Sequence, residues 1–184
     1  MLLTTLLSQH PEAALDIVRG TPAWVAALLA ALIALGFSST RARTAAPARL
    51  ALLPMAMLGL ALWGVQSAFA TSGRLAELML LWAACFAAML ALSLRGAAPA
   101  GTRWIAAEPR FHLPGSWAPM ALIVGVFLIK YTVGVQLALE PALTHHAGFA
   151  FAITGLYGLM SGWIAARTLR VLRLQKPAAP LVIA

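Results

Sequence analysis

The chain has 184 residues, of which 62% are hydrophobic and only 10% are charged, and its mean hydropathy is +0.89. A soluble domain of this size carries about 45–50% apolar and about 25% charged residues, so the composition predicts an integral membrane protein with the lipid bilayer as its main partner. The net charge of +8 would suggest nucleic acid in a soluble protein. In a membrane protein basic residues mostly set orientation, and we expect no nucleic-acid partner.

The first 20 residues read as a short interfacial helix and not as a signal peptide. Leucines recur at helical spacing up to Pro11, which is typical of a helix lying on the membrane surface. Glu12 and Asp16, together with the lack of a basic start, exclude the pattern of a cleaved leader.

Five apolar segments follow, each close to the ~20 residues that cross a hydrocarbon core ~30 Å thick. The predicted fold class is therefore an all-α, polytopic membrane bundle of five transmembrane helices, forming a single domain over residues 1–176 with a flexible tail at 177–184. The predicted spans are 22–37, 50–69, 75–94, 117–139 and 147–166.

Basic residues predict how these spans are oriented. Ten of the 13 lie in the segment after the first span, the segment after the third span and the C-terminal tail, and two lie on the opposite side. The positive-inside rule then places the N-terminus outside and the C-terminus in the cytoplasm.

Lys130 is the exception, because it lies inside the fourth apolar span. A charge there costs roughly 2.5–3.5 kcal/mol on insertion scales, and such residues are functional-site candidates by default. Lys130 lies ~3 Å beyond the predicted midplane. Its stem reaches ~6 Å further, and the interface is ~15 Å from the centre. The ammonium therefore needs a partner, water or deprotonation.

The polar residues nearest in depth predict a pocket in the outer half of the bundle, open to the periplasmic side. Thr132, Gln136 and Glu140 form a stripe at four-residue spacing on the same helix, and Glu77 is the carboxylate best placed to meet the lysine. The alternatives are a lysine satisfied by Glu77 or by backbone carbonyls, and a lysine that meets a ligand, an ion or a lipid headgroup. The candidate residues are Lys130, Tyr131, Thr132, Gln136, Glu140, Gln66 and Glu77.

The fifth span has a small residue at every fourth position, a pattern that lets two helices approach closely. Its partner is either another helix of the same bundle or, alternatively, a second copy or another membrane protein. The residues are Ala150, Thr154, Gly158, Gly162 and Ala166.

The longest connection, residues 96–116, has two interpretations. It forms a small hairpin around Glu108-Pro109, or it lies along the lipid headgroups. Ser116 is suited to cap the fourth helix, and Trp117 to anchor it at the interface.

No motif of nucleotide binding, metalloprotease or serine-hydrolase chemistry is present, and Cys85 is the only cysteine. His145 and His146 follow Glu140 in a predicted outer loop, but adjacent histidines usually point in different directions. We expect no catalytic residue, no metal site and no cofactor, and hence no enzyme.

Two stretches resemble the signature of an uncharacterised family of small bacterial inner-membrane proteins. The first reads FHLPGSWAP from Phe111 to Pro119, and the second reads FLIKY from Phe127 to Tyr131. A third stretch, RGTPAW from Arg19 to Trp24, is similar to the family's opening. The resemblance implies a topology in the bacterial inner membrane and carries no activity.

Three functions follow from these patterns. The leading hypothesis is a membrane protein that binds a small anion or a lipid headgroup around Lys130. The first alternative is a structural or accessory subunit that associates through the small-residue face of the fifth helix. The second is a proton-coupled transporter of small solutes, which the absence of an internal repeat makes less attractive.

Overall fold

The structure is a computed structural model that describes residues 19–175. It contains five apolar helices, which confirms the predicted all-α membrane bundle. Four of them are long and apolar enough to cross a membrane, and the first is shorter. The helices are α1 (Ala23–Ser38), α2 (Pro47–Phe69), α3 (Leu75–Ser93), α4 (Ala118–Leu139) and α5 (Ala147–Leu172). The predicted tail, and the predicted interfacial helix up to residue 18, lie outside the described residues.

Most helix ends lie within three residues of the predicted spans, because proline and polar residues mark them. Pro47 and Pro119 occupy first turns, where a missing N–H costs nothing. The Ser116 hydroxyl accepts a hydrogen bond from the Ala118 N–H at 3.2 Å. The main difference is at α5, which continues beyond Ala166 to Leu172.

A three-stranded sheet lies between the helix ends and was predicted only in part. The hairpin is formed by β2 (Arg103–Ile105) and β3 (Arg110–Leu113), and β1 (Arg43–Ala45) pairs with the other edge of β3. All pairings are antiparallel, in the order β1-β3-β2. Phe111 is fully buried. Its ring packs against that of Trp104 on the neighbouring strand, with 4.8 Å between the ring centres.

The sheet fixes the direction of the helices. It joins the connection between α1 and α2 to the connection between α3 and α4, so α2 and α4 start at the same end of the bundle. We call this the sheet end. Gly115 lets the two connections touch, because a Cβ there would overlap the Thr40 carbonyl, and the Ser116 N–H donates to Ser39 O at 3.1 Å. The α5 terminus lies here too, since β2 contacts Arg173–Gln175.

The helices pack as two groups. In the first, α3 lies along α5 over most of its length and α2 packs against the other side of α5; in the second, α1 packs on α4. The core belongs to the first group, because its bulky side chains fill the space between α2, α3 and α5. Its members are Ala61, Val65, Phe69, Leu78, Trp82, Ala150 and Tyr157.

Large apolar side chains cover the outside of the bundle. Trp63 is 70% exposed and Leu80 is 72% exposed, although water would strongly disfavour so much apolar surface. Lipid is the solvent that suits this surface, and the protein is a multi-pass membrane protein.

Candidate functional site

Lys130 lies near the middle of α4 and reaches toward α2. Its Nζ is 3.5 Å from the carbonyl oxygen of Leu60, which accepts a long hydrogen bond from the ammonium. The approach is possible because Gly64 has no side chain: a Cβ at Gly64 would lie 2.9 Å from Nζ. Leu60 and Gly64 are one turn apart, so α2 presents a carbonyl and a gap on the same face.

The third helix of the site is α5, which supplies an aromatic ring. Nζ lies 4.2 Å from the centre of the Tyr157 ring. A cation at this distance is attracted to the negative face of the ring, by about 2 kcal/mol where water is excluded. Lys130 therefore connects α4 with the group formed by α2 and α5.

A narrow crevice begins at this lysine. We call it the Lys130 crevice; it is lined by Met57, Ala61, Val126, Lys130, Tyr157, Met160, Ser161 and Ile164. Its free space is about 20 Å³, which is room for roughly one water molecule. Apart from the lysine, the serine and the tyrosine hydroxyl, the lining side chains are apolar.

The crevice extends from Lys130 toward the sheet end. Val126 is one turn before Lys130 on α4, and Met57 is one turn before Leu60 on α2, which runs the same way. Ser161 and Ile164 follow Tyr157 on α5, which runs in the opposite direction. Met57 and Met160 are flexible side chains that adjust to different shapes.

The ammonium has more donors than the protein uses. A protonated lysine carries three N–H donors. Within residues 19–175, its contacts are the Leu60 carbonyl and the Tyr157 ring, and no ion pair joins it to a carboxylate. An acceptor entering the Lys130 crevice would therefore meet a charge that the chain itself leaves without a counter-ion.

The partners predicted in the outer half do not reach Lys130. Glu77 and Gln66 are both exposed, and neither contacts the lysine in the part of the chain described. The backbone-carbonyl alternative is the one the structure shows.

Tyr131 and the polar stripe of α4 do not line the Lys130 crevice. The Tyr131 hydroxyl pairs with the Thr21 hydroxyl at 2.6 Å, and its ring stacks on Phe127. Thr21, just before α1, thus connects α1 to α4. Thr132 is exposed and Gln136 is buried, and Gln136 and Glu140 have partners of their own. The crevice at Lys130 lies on the sheet side of this stripe, and of the predicted pocket residues Lys130 is the one that lines it.

A search of family models supports the resemblance seen in the sequence. Residues 1–182 match the model of a family of unknown function, DUF6622. The chain belongs to the DUF6622 family. No curated protein and no solved structure matched the chain.

The small-residue face of this DUF6622 protein is occupied by its own α3. A Cβ at Gly158 would lie 2.5 Å from the Trp82 carbonyl oxygen, and one at Gly162 would lie 2.5 Å from the Phe86 carbonyl oxygen. Ala150 and Thr154 are buried as well. Of the two alternatives, packing within the bundle is the one observed.

Sequence reasoning missed Tyr157 and Gly64. One signal was available: tyrosine in membrane proteins favours the interface, and Tyr157 lies near the middle of an apolar span. No local signal marks the Leu60 carbonyl, because any helical residue carries one. Its role depends on how α2 is rotated toward α4.

Proposed function

We propose that this protein is a non-enzymatic integral membrane protein that binds the anionic head of a lipid-soluble ligand at Lys130. We place it in the bacterial inner membrane, with the sheet end in the cytoplasm. The observation that carries the proposal is a half-buried ammonium without a carboxylate partner at the end of an apolar crevice.

The shape of the crevice favours a lipid-borne ligand over a free anion. Free space of about 20 Å³ has no room for a hydrated phosphate, and the apolar walls offer few hydrogen bonds to one. An amphiphile suits the crevice better, because its apolar chain finds apolar contacts at Met57, Met160 and Ile164, and flexible methionine side chains move aside to admit it.

A carboxylic acid is the ligand class that fits this depth best. Its neutral form enters the apolar region without the cost of burying a charge. Beside an ammonium the carboxylate becomes favourable, because each charge then compensates the other and the hydrogen bond is strengthened. Long-chain fatty acids combine this head with an apolar chain.

Oleate binding to the purified full chain tests the proposal. The protein is placed in nanodiscs of phosphatidylcholine, and displacement of a fluorescent fatty acid is measured. We expect saturable binding that weakens at least about ten-fold in Lys130→Met, since a charged hydrogen bond contributes roughly 1.5–3 kcal/mol. Lys176→Met makes the same chemical change at the other lysine and should leave binding unchanged.

Equal binding to the parent and to Lys130→Met, with both folded by circular dichroism, would show that the lysine does not hold the ligand. If inorganic phosphate displaced the fluorescent fatty acid at concentrations similar to those of oleate, the ligand would be a small anion and not a lipid-borne one.

A structural role is the second candidate, favoured by the contacts of Lys130 with both α2 and α5. In that case the parent binds no oleate and Lys130→Met lowers the melting temperature. The surface that the accessory-subunit hypothesis requires is covered, because α3 packs on the small-residue face of α5.

A further inference from the structure

A second site is indicated by Arg170, near the C-terminal end of α5. Positions 158, 162, 166 and 170 follow one another at four-residue spacing along the face that packs on α3. Arg170 therefore reaches the point where α3 ends. Its guanidinium lies over Gly96: a Cβ there would be 2.5 Å from Arg170 Nη1.

This guanidinium has no acceptor within residues 19–175. Its Nε is buried and has no hydrogen-bond partner, and no contact joins its other nitrogens to an oxygen. Proximity to the negative end of the α3 dipole is favourable, but α3 supplies no hydrogen bond. A buried donor without an acceptor is costly, and natural structures rarely keep one without a reason.

A second unpaired polar atom lies in the same corner of the molecule. The Thr102 hydroxyl is buried without a partner. Thr102 comes directly before β2, and β2 contacts the turn Arg173–Gln175 that follows α5. We call this region the basic corner, defined by Gly96, Thr102, Arg167, Arg170 and Arg173.

Positive charge in the basic corner is not compensated by the protein. Arg167 is half-buried and lies close enough to Arg170 for the two charges to repel each other. In the described chain the acidic residue at the sheet end is Glu108, which is exposed in the β2–β3 turn, and no ion pair reaches these arginines. The cluster would therefore gain from an external anion.

We propose that the basic corner binds a phosphate group. Several charged oxygens on one phosphorus suit the fork of N–H donors that an arginine presents. Gly96 leaves room for the guanidinium itself, and the unpaired Thr102 hydroxyl just before β2 is a further donor at this end of the bundle. The corner is at the headgroup level of one leaflet, where basic pockets between helix ends bind anionic lipids. A phospholipid phosphate and a soluble phosphate ester share this chemistry.

The test uses the full chain in nanodiscs of phosphatidylcholine with increasing phosphatidylglycerol, with bound lipid counted by native mass spectrometry. We expect phosphatidylglycerol to be retained by the parent and to bind at least about 20-fold more weakly to Arg170→Gln. Arg110→Gln removes one exposed charge from the same end and should weaken binding by no more than about five-fold.

Arg170→Lys keeps the charge without the fork, so it should restore only part of the binding. Equal losses in Arg170→Gln and Arg110→Gln would overturn the site in favour of general surface charge. If the parent did not prefer phosphatidylglycerol over phosphatidylcholine, neither the site nor general surface charge would be supported, and the proposal would be overturned.

Competition by inorganic phosphate distinguishes the two sources. Loss of bound lipid at millimolar phosphate would support a soluble phosphate ester, and unchanged lipid binding would support the phospholipid. Melting curves of Arg170→Gln and Arg110→Gln check that both variants remain folded. The oleate experiment is independent, because Lys130→Met should not change phosphatidylglycerol binding.

Discussion

At the scale of single residues, Lys130 is held by a carbonyl oxygen and an aromatic ring. The hydrogen bond to Leu60 is long, at 3.5 Å, and the ring of Tyr157 is 4.2 Å away. Neither contact neutralises the charge. Within the described residues, the ammonium is therefore left without a counter-ion.

The contribution of the ring is a testable quantity. Tyr157→Phe keeps the aromatic face and should leave the free energy of unfolding within about 1 kcal/mol of the parent. Tyr157→Leu removes the aromatic face and part of the packing, and should lower the free energy of unfolding by about 2–4 kcal/mol.

Only the electrostatic part of that loss depends on the lysine. Both substitutions are repeated in a Lys130→Met background, and the free energy of unfolding is measured by thermal unfolding in detergent. We expect a coupling energy between positions 130 and 157 of about 0.5–2 kcal/mol for Tyr157→Leu and none for Tyr157→Phe. A coupling of zero for leucine would mean that the ring and the ammonium do not interact.

At the scale of elements, the contact between α3 and α5 organises the bundle. Gly158 and Gly162 bring the α5 backbone against the carbonyls of Trp82 and Phe86. Backbone atoms of a helix cannot move aside as a flexible side chain can, so even a methyl group has no space. In lipid, where helices gain little from the hydrophobic effect, such close packing is a main source of association.

Gly158→Ala and Gly162→Ala should therefore each lower stability by about 1–3 kcal/mol, although alanine is the better helix former. Gly148→Ala on the same helix is the matched control, since a Cβ there meets nothing within 4 Å. It should leave the melting temperature in detergent unchanged or raise it slightly. A neutral effect of Gly158→Ala would contradict the close approach of α3.

At the scale of the whole molecule, the charges divide the bundle into two ends. The sheet brings together the connections that contain Arg43, Arg103 and Arg110, and the arginines of the α5 terminus lie at the same end. The turns Ala70–Ser72 and Pro141–His145 lie at the opposite end, in contact with each other. Grouping of basic residues at one end is the geometry that the positive-inside rule requires.

Orientation in the membrane can be checked by cysteine labelling in a Cys85→Ala background. Thr71→Cys is placed in the exposed turn after α2, and Ala106→Cys in the exposed β2–β3 turn. A membrane-impermeant maleimide added to intact spheroplasts should label the first variant, and the second only after permeabilisation. The reverse pattern would place the sheet end outside.

Much of the fold was predictable because lipid imposes simple requirements. Spans of about 20 apolar residues, proline in first turns and basic connections identified five helices and a common basic end. The hairpin was one of two alternatives. The strand Arg43–Ala45 was not predicted, since three residues carry too little pattern and become a strand only by pairing with Arg110–Leu113.

The site was predictable only at one residue. Lys130 stood out by its charge, but its partners depend on helix rotation, which a nearly uniform apolar surface does not encode. Glu77 and Gln66 are exposed, and neither contacts the lysine in the described part of the chain. The partners that the structure provides, a carbonyl at Leu60 and a ring at Tyr157, carry no charge that the sequence could reveal as complementary.

The sequence by itself determined that this is a membrane bundle, where its helices lie and that a lysine lies within one of its apolar spans. Each of these follows from the cost of placing polar groups in lipid, which is local to a segment. Tertiary structure alone decided that α3 occupies the glycine face of α5, that Lys130 meets Leu60 and Tyr157, and that Arg170 lies over Gly96. Those contacts depend on how whole helices rotate and approach, which is settled by packing among all of them together.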